Sequence, residues 1–167
     1  MTTTDLEGEL ERVHASSFRW ALCCCRRNRE DAEDVLQTSY LKILEGKARF
    51  DGRSNFRTFL FGVIRRTAAE HRRRDWLARL RVARWSRLQV ASPSEHVAEH
   101  GNEASERASR LLAALAKLAK RQCEVLELVF YHELTVEEAA AALGISVGSA
   151  RVHYARGKKR LWKALNG

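Results

Sequence analysis

Apolar residues recur along most of this chain at three- and four-residue intervals, the spacing that gathers them on one face of a helix. Leu6, Leu10, Val13, Phe18, Ala21 and Leu22 trace a first, imperfect stripe, which predicts a helix ending near the basic run at residues 26–30. Asp31 has the chemistry of an N-cap for a second helix, closed by Gly46, whose core face is Ala32, Val35, Leu36, Tyr40, Ile43 and Leu44. Its other side is polar, with Asp31, Asp34, Gln37, Thr38 and Lys42. Asp51-Gly52 is turn chemistry, and Ser54 is the expected cap of a long third helix that starts at Asn55. That helix begins with Phe56, Phe59 and Phe61 and ends in a dense basic stretch; Phe59 and Phe61 are assigned to the core.

After the third helix the pattern lapses. Residues 92–109 hold the sole proline, Pro93, and the acids Glu95, Glu99, Glu103 and Glu106, with Arg107 as their one basic residue. Such a stretch reads as a mildly acidic linker. Helical periodicity resumes with Leu111, Leu112, Leu115 and Leu118, and the strongly apolar residues 121–134 predict a further helix.

The C-terminal run, residues 134–165, is the most specific. Thr135 and Glu138 have capping-box spacing, followed by an Ala-rich helix with Val136, Ala139, Ala140 and Leu143 on one face. Gly144 falls where the chain must turn left-handed, a conformation cheap only for glycine. Ile145 can fill the corner, and Ser146 caps the next helix. Two helices about a short Gly-containing turn make a helix-turn-helix. The second predicts a buried stripe of Val147, Ala150, Tyr154, Gly157, Leu161 and Leu165, with Ser149, Arg151, Val152, His153, Arg156, Lys159, Arg160 and Lys163 around the rest of its surface. A helix entering the major groove reads base edges near its N-terminus and holds phosphates along its length.

Charge sharpens this picture. The formal net charge of the 167 residues is +9, and the basic groups are clustered. Arg65, Arg66, Arg72, Arg73, Arg74, Arg79, Arg81, Arg84 and Arg87 face only Glu70 and Asp75 in the same stretch. Arginine at that density is a phosphate-binding surface, and Phe56, Trp76 and Trp85 could stack on unpaired bases beside it. A hydrophobic fraction of 45% belongs to a folded protein. No run is long and apolar enough for a membrane span, and the acidic N-terminus is unlike a secretory signal, so the expected location is the cytoplasm. Cys23, Cys24 and Cys25 are adjacent and Cys123 is remote, which fits buried or half-buried thiols in a reducing compartment rather than a disulfide set or zinc site. His96 and His100 lie in the polar linker without a third ligand, so no metal or other cofactor is expected.

Three segments carry a resemblance. DAEDVLQTSYLKILEG, FDGRSNFRTFLFGVIRRTAAEHRRR and LAKLAKRQCEVLELVFYHELTVEEAAAALGISVGSARVHYARGKKRL occur in the order of regions two and four of bacterial sigma factors of the extracytoplasmic-function (ECF) group, and resemble them. Ala119 or Lys120 replaces that family's proline, Phe59 replaces its tryptophan, and His153 replaces an arginine. The resemblance implies an all-α chain of two small helical domains: a region 2 bundle over residues 1–90, a flexible linker over 91–109, and a region 4 helix-turn-helix over 110–167. It also implies a transcription-initiation factor without catalytic residues, which binds core RNA polymerase through the β′ clamp helices and the β-flap. An anti-sigma factor is a further implied partner. Asp31, Asp34, Gln37, Tyr40 and Leu41 are the implied polymerase contacts. Phe56, Arg65, Arg66, His71, Arg72, Arg73 and Arg74 are implied for the −10 single strand. Ser149, Arg151, Val152, His153, Arg156 and Lys159 are implied for the −35 duplex. The competing expectation is a stand-alone helix-turn-helix repressor or activator, which would act as a dimer on a palindromic operator.

Overall fold

The computed structural model describes residues 3–85, 111, 113–115 and 117–166, and among these the regular structure is helical, with no strand. The linker expected over 91–109, with His96 and His100, lies outside the described residues. Three helices form the first half: α1 (Thr3–Cys24), α2 (Arg29–Leu44) and α3 (Phe56–Trp85). The second half contains α4 (Lys120–Leu126), which runs on as a π-helical turn (Glu127–Tyr131), then α5 (Val136–Leu143) and α6 (Val147–Asn166).

Two helix starts differ from the sequence expectation. Asn28, not Asp31, caps α2: its backbone is extended and its side chain accepts from the Asp31 N–H at 3.1 Å. Asp31 lies instead within the first turn, where a carboxylate favours the positive end of the helix dipole. At α3 the Asn55 side chain accepts from the Thr58 N–H at 2.7 Å, while the Ser54 hydroxyl bonds the Asn55 carbonyl. In both places an asparagine beside the expected cap makes the bond, since its amide oxygen reaches the third residue on as well as a serine or aspartate does.

In the C-terminal half the expected devices are present. Thr135 and Glu138 form a reciprocal capping box, Gly144 turns left-handed at φ 60°, and the Ser146 hydroxyl accepts from the Ser149 N–H at 3.1 Å. The buried stripe of α6 is shorter than its sequence suggests. Ala150 and Gly157 are buried and Tyr154 and Leu161 half-buried, but Val147 and Leu165 stand 36% and 45% exposed. The reason is length: α4 and α5, of seven and eight residues, cover only the middle of the 20-residue α6.

One hydrophobic core runs through both halves. Trp20, Leu60, Phe61 and Ile64 from the first half cluster with Leu128, Leu134, Ala139, Ala142 and Leu143 from the second. Trp20 is fully buried and donates from Nε1 to the Phe61 carbonyl at 3.0 Å, which fixes α1 against α3. Where α3 crosses α5, a Cβ on Gly62 would lie 3.4 Å from the Ala142 carbonyl oxygen, so the two backbones nearly touch. None of the described helices is long and apolar enough to cross a membrane.

Candidate nucleic-acid and partner interfaces

Helix α2 presents its polar side outward. Asp34, Gln37 and Leu41 are exposed along one ridge, Leu41 at 49%, and Asp31 and Tyr40 flank it half-buried. An open groove between α1 and α2, lined by His14, Phe18, Arg29, Glu33, Leu36, Gln37 and Tyr40, runs beside the ridge. The Tyr40 hydroxyl lies 3.2 Å from His14 Nδ1, and burial raises its pKa. Lys42 is tied to α3 by Glu70 at 2.6 Å and Thr67 at 3.2 Å. Lys42 therefore anchors α2 to α3, while Asp34 and Gln37 stay exposed on the ridge.

The arginine-rich stretch of α3 divides into two environments. Arg66, Arg73 and Arg74 are exposed, as is Trp76 at 60%, so cations and a large aromatic share a solvent-facing surface. The other expected −10 residues are engaged within the protein. Phe56 is only 9% exposed and packs against Phe50 and Phe59 with ring centroids 5.6 and 6.1 Å away. Arg72 donates to the Cys24 carbonyl at 2.7 Å, closing the C-terminus of α1. His71 Nδ1 meets Asp75 at 3.1 Å, and both lie beside Asp31.

Arg65 points into the seam between the halves. Its Nε lies 3.8 Å from the Glu124 carboxylate, beyond hydrogen-bond length, and that nitrogen is buried without a partner. Glu124, 4% exposed, also receives Arg121 at 2.9 Å. Further along the seam Arg19 bonds the Tyr131 hydroxyl and Asn55 bonds Glu138. His132 is 3% exposed and stands edge-on to Phe61 and Trp20. Burial first, then the positive charges of Arg57 and Arg19, depress its pKa to about 4. Sequence reasoning missed Arg19, Glu124 and His132 and gave Arg65 no seam role, because a polar side chain meeting a partner many residues away leaves no periodic trace.

On α6 the expected DNA-facing residues share one accessible surface. Ser149, Arg151, Arg156 and Lys159 are exposed, Val152 is 46% exposed, and His153 is half-buried. Arg151 reaches across the turn to Glu137 at 2.8 Å. That hydrogen bond holds the Glu137 carboxyl below its ordinary pKa. The arrangement places a polar N-terminus and a cationic flank on a helix anchored by Ala150 and Gly157, the geometry a major groove accepts.

The chain matches the family model Sigma-70 region 2 over residues 10–78 and the model Sigma-70, region 4 over residues 108–161. It is 30% identical over 163 residues to the RNA polymerase sigma factor CarQ of Myxococcus xanthus, spanning 96% of this chain and 90% of that protein. With the ECF RNA polymerase sigma factor SigX of Bacillus subtilis the identity is 28% over 144 residues, 82% of this chain and 72% of the relative. Among solved structures, the sigma factor RpoE in complex with the anti-sigma factor NepR from Bartonella quintana has a similar fold: TM-score 0.70, 24% identity, 96% of each chain covered. CnrH in complex with the cytosolic domain of CnrY is also similar, with TM-score 0.66, 19% identity, and 99% of this chain and 90% of that one covered. The chain belongs to the ECF group of the sigma-70 family of RNA polymerase sigma factors.

Proposed function

We propose that this sigma factor docks on core RNA polymerase through the α2 ridge, places α6 in the −35 major groove, and melts the −10 element with α3. The observation that carries this reading is the presence on one chain of an exposed polar ridge on α2 and a capped, cationic α6. Asp31, Asp34, Gln37, Tyr40 and Leu41 form the docking surface. Ser149, Arg151, Val152, His153, Arg156 and Lys159 meet the −35 duplex. Arg66, Arg73 and Arg74 hold −10 phosphates at once, whereas Phe56, Arg65, His71 and Arg72 are available only after rearrangement. The factor carries out no catalysis of its own and works in the cytoplasm, where the polymerase is. An anti-sigma factor is a further partner, as NepR is for RpoE in the solved complex. Residues 1–90, 91–109 and 110–167 are the functional units of this reading.

Geometry supports an opening step. Elements about 25 base pairs apart lie roughly 85 Å apart along a duplex at about 3.4 Å per base pair. A compact chain of this length has a radius of gyration of about 15 Å, hence a diameter near 40 Å. The packed halves cannot reach both elements at once. The α2 ridge is already exposed in the packed state, so docking can precede separation, and separation then frees Arg65.

Runoff transcription with purified core polymerase and genomic promoter fragments tests this reading. Start sites are expected only when the factor is added, and Gln37→Ala or Arg151→Ala should abolish them. A protein that leaves core polymerase unbound and retards duplex DNA as a dimer is a repressor instead.

A further inference from the structure

The end of α1 lies antiparallel to α4 and the π turn, in a register set by several contacts. Arg19 bonds Tyr131, and Trp20 stands against His132. About one helical turn on, the Cys23 thiol hydrogen-bonds with that of Cys123 and lies near Glu127. The neighbouring Cys24 lies near Glu124 and Lys120. Two thiols, one from each half of the molecule, therefore meet at the seam. Both are only half-buried, whereas Cys24 and Cys25 are buried.

We propose that Cys23 and Cys123 are a redox pair whose disulfide locks region 2 onto region 4, holding the factor in the packed state that cannot span a promoter. The lock rests on the proposed opening step. The pair is chemically asymmetric. The hydrogen bond from Cys23, and then the charge of Arg27, favour the thiolate of Cys123, whose pKa is lowered despite its burial. The same hydrogen bond, with burial, keeps Cys23 protonated. A thiolate is the form that attacks a peroxide.

With hydrogen peroxide as oxidant, the Cys123 sulfur attacks one peroxide oxygen, the O–O bond breaks, and hydroxide leaves; Cys123 becomes a sulfenic acid. The Cys23 sulfur then attacks the sulfenyl sulfur, the S–O bond breaks, and the oxygen leaves as hydroxide, which takes up the proton that Cys123 released on becoming a thiolate. The Cys23 proton neutralises the first hydroxide. In sum two thiols lose two electrons and two protons, and one peroxide becomes two waters. A dithiol reductant reverses the step by thiol–disulfide exchange.

A cross-link closing a loop of about 100 residues shifts an equilibrium that separates its ends by on the order of a hundredfold or more. The test uses the full chain, treated with hydrogen peroxide and then dithiothreitol. A non-reducing digest read by mass spectrometry should show a Cys23–Cys123 peptide from the monomer, and runoff transcription with core polymerase should fall on the order of a hundredfold and return on reduction. Cys23→Ser and Cys123→Ser should each keep basal transcription and lose the peroxide response, while Cys24→Ala/Cys25→Ala should keep both. Circular dichroism melting confirms that each variant folds.

A linkage through Cys24 or Cys25, a disulfide between two copies, or a Cys23–Cys123 bond that leaves transcription unchanged overturns the proposal. If the reduced wild-type protein starts no transcripts, the sigma reading is what fails; the lock is then decided by whether the mapped disulfide keeps small-angle scattering at the compact radius.

Discussion

At the scale of single residues, His132 is the group whose surroundings make the clearest demand. It is buried between two aromatic rings with arginines nearby, and its pKa falls from 6.5 to about 4. The unfolded chain therefore binds a proton that the folded one refuses between these values, so stability rises with pH across that window. The contribution of neutral His132 is complete above pH 6.5 and is lost as the pH falls toward 4, by up to about 3 kcal/mol. Urea unfolding at pH 7 and pH 5 should show this loss, and His132→Phe should flatten the part due to this site. An unchanged slope in the variant would assign the acid sensitivity elsewhere. Glu137, in the first turn of α5, holds Arg151 at 2.8 Å. Glu137→Gln frees that guanidinium and is expected to raise duplex affinity in a fluorescence anisotropy titration, on −35 promoter and random DNA alike. The −35 residues were legible because a helix-turn-helix is local: cap, glycine and cap lie within a dozen residues. His132, Arg19 and Glu124 were not, because their roles come from partners across the seam.

Among the elements, α6 shows best how packing and function divide a helix. Its inner side approaches α4 at Gly157, where a Cβ would lie 3.0 Å from Leu126 Cδ1 and 3.2 Å from Gln122 Cβ. Gly157→Val overfills that contact with a β-branched side chain and should cost about 1–3 kcal/mol, read as a lower thermal midpoint. Its outer side carries Lys159, fully available to a phosphate. Lys159→Ala should weaken duplex binding evenly across sequences and reduce the slope of log affinity against log salt by about 0.9. A change confined to one sequence would mean that Lys159 reads a base instead. The period of α6 predicted which face is inward, but not that Val147 and Leu165 overrun the short helices covering it. The break in α4 was likewise invisible: residues 121–134 are uniformly apolar in rhythm, yet the chain widens into a π turn at Glu127–Tyr131 before Glu133 turns left-handed at φ 53°. A hydrophobic pattern reports which residues are buried, not how many residues the backbone spends per turn.

For the whole molecule, the seam between the halves combines a continuous apolar core with polar groups left incompletely paired. Arg65 Nε and His132 Nε2 are buried without a hydrogen-bond partner, and each such group typically forfeits about 1–3 kcal/mol. An interface that surrenders part of its apolar gain this way is closed without being permanent, as the proposed opening step requires. Because only the open state of this reading spans a promoter, the apparent affinity of the polymerase complex for promoter DNA is reduced by the fraction of molecules that are open. Ala142→Glu tests this directly. Ala142 is 3% exposed and its backbone lies against Gly62, so a carboxylate there has no room between α3 and α5. The variant should keep its helical circular dichroism, because both halves retain their own helices, while its radius of gyration in small-angle scattering rises clearly above about 15 Å. Affinity of the polymerase complex for promoter DNA should rise on the order of tenfold, and cross-linking of Arg65 to −10 single strand should appear without polymerase. Expansion with unchanged promoter affinity would mean that the seam is not the brake. Loss of helix would mean that the two halves need one another to fold, and the expected opening would then be confined to the polymerase-bound state.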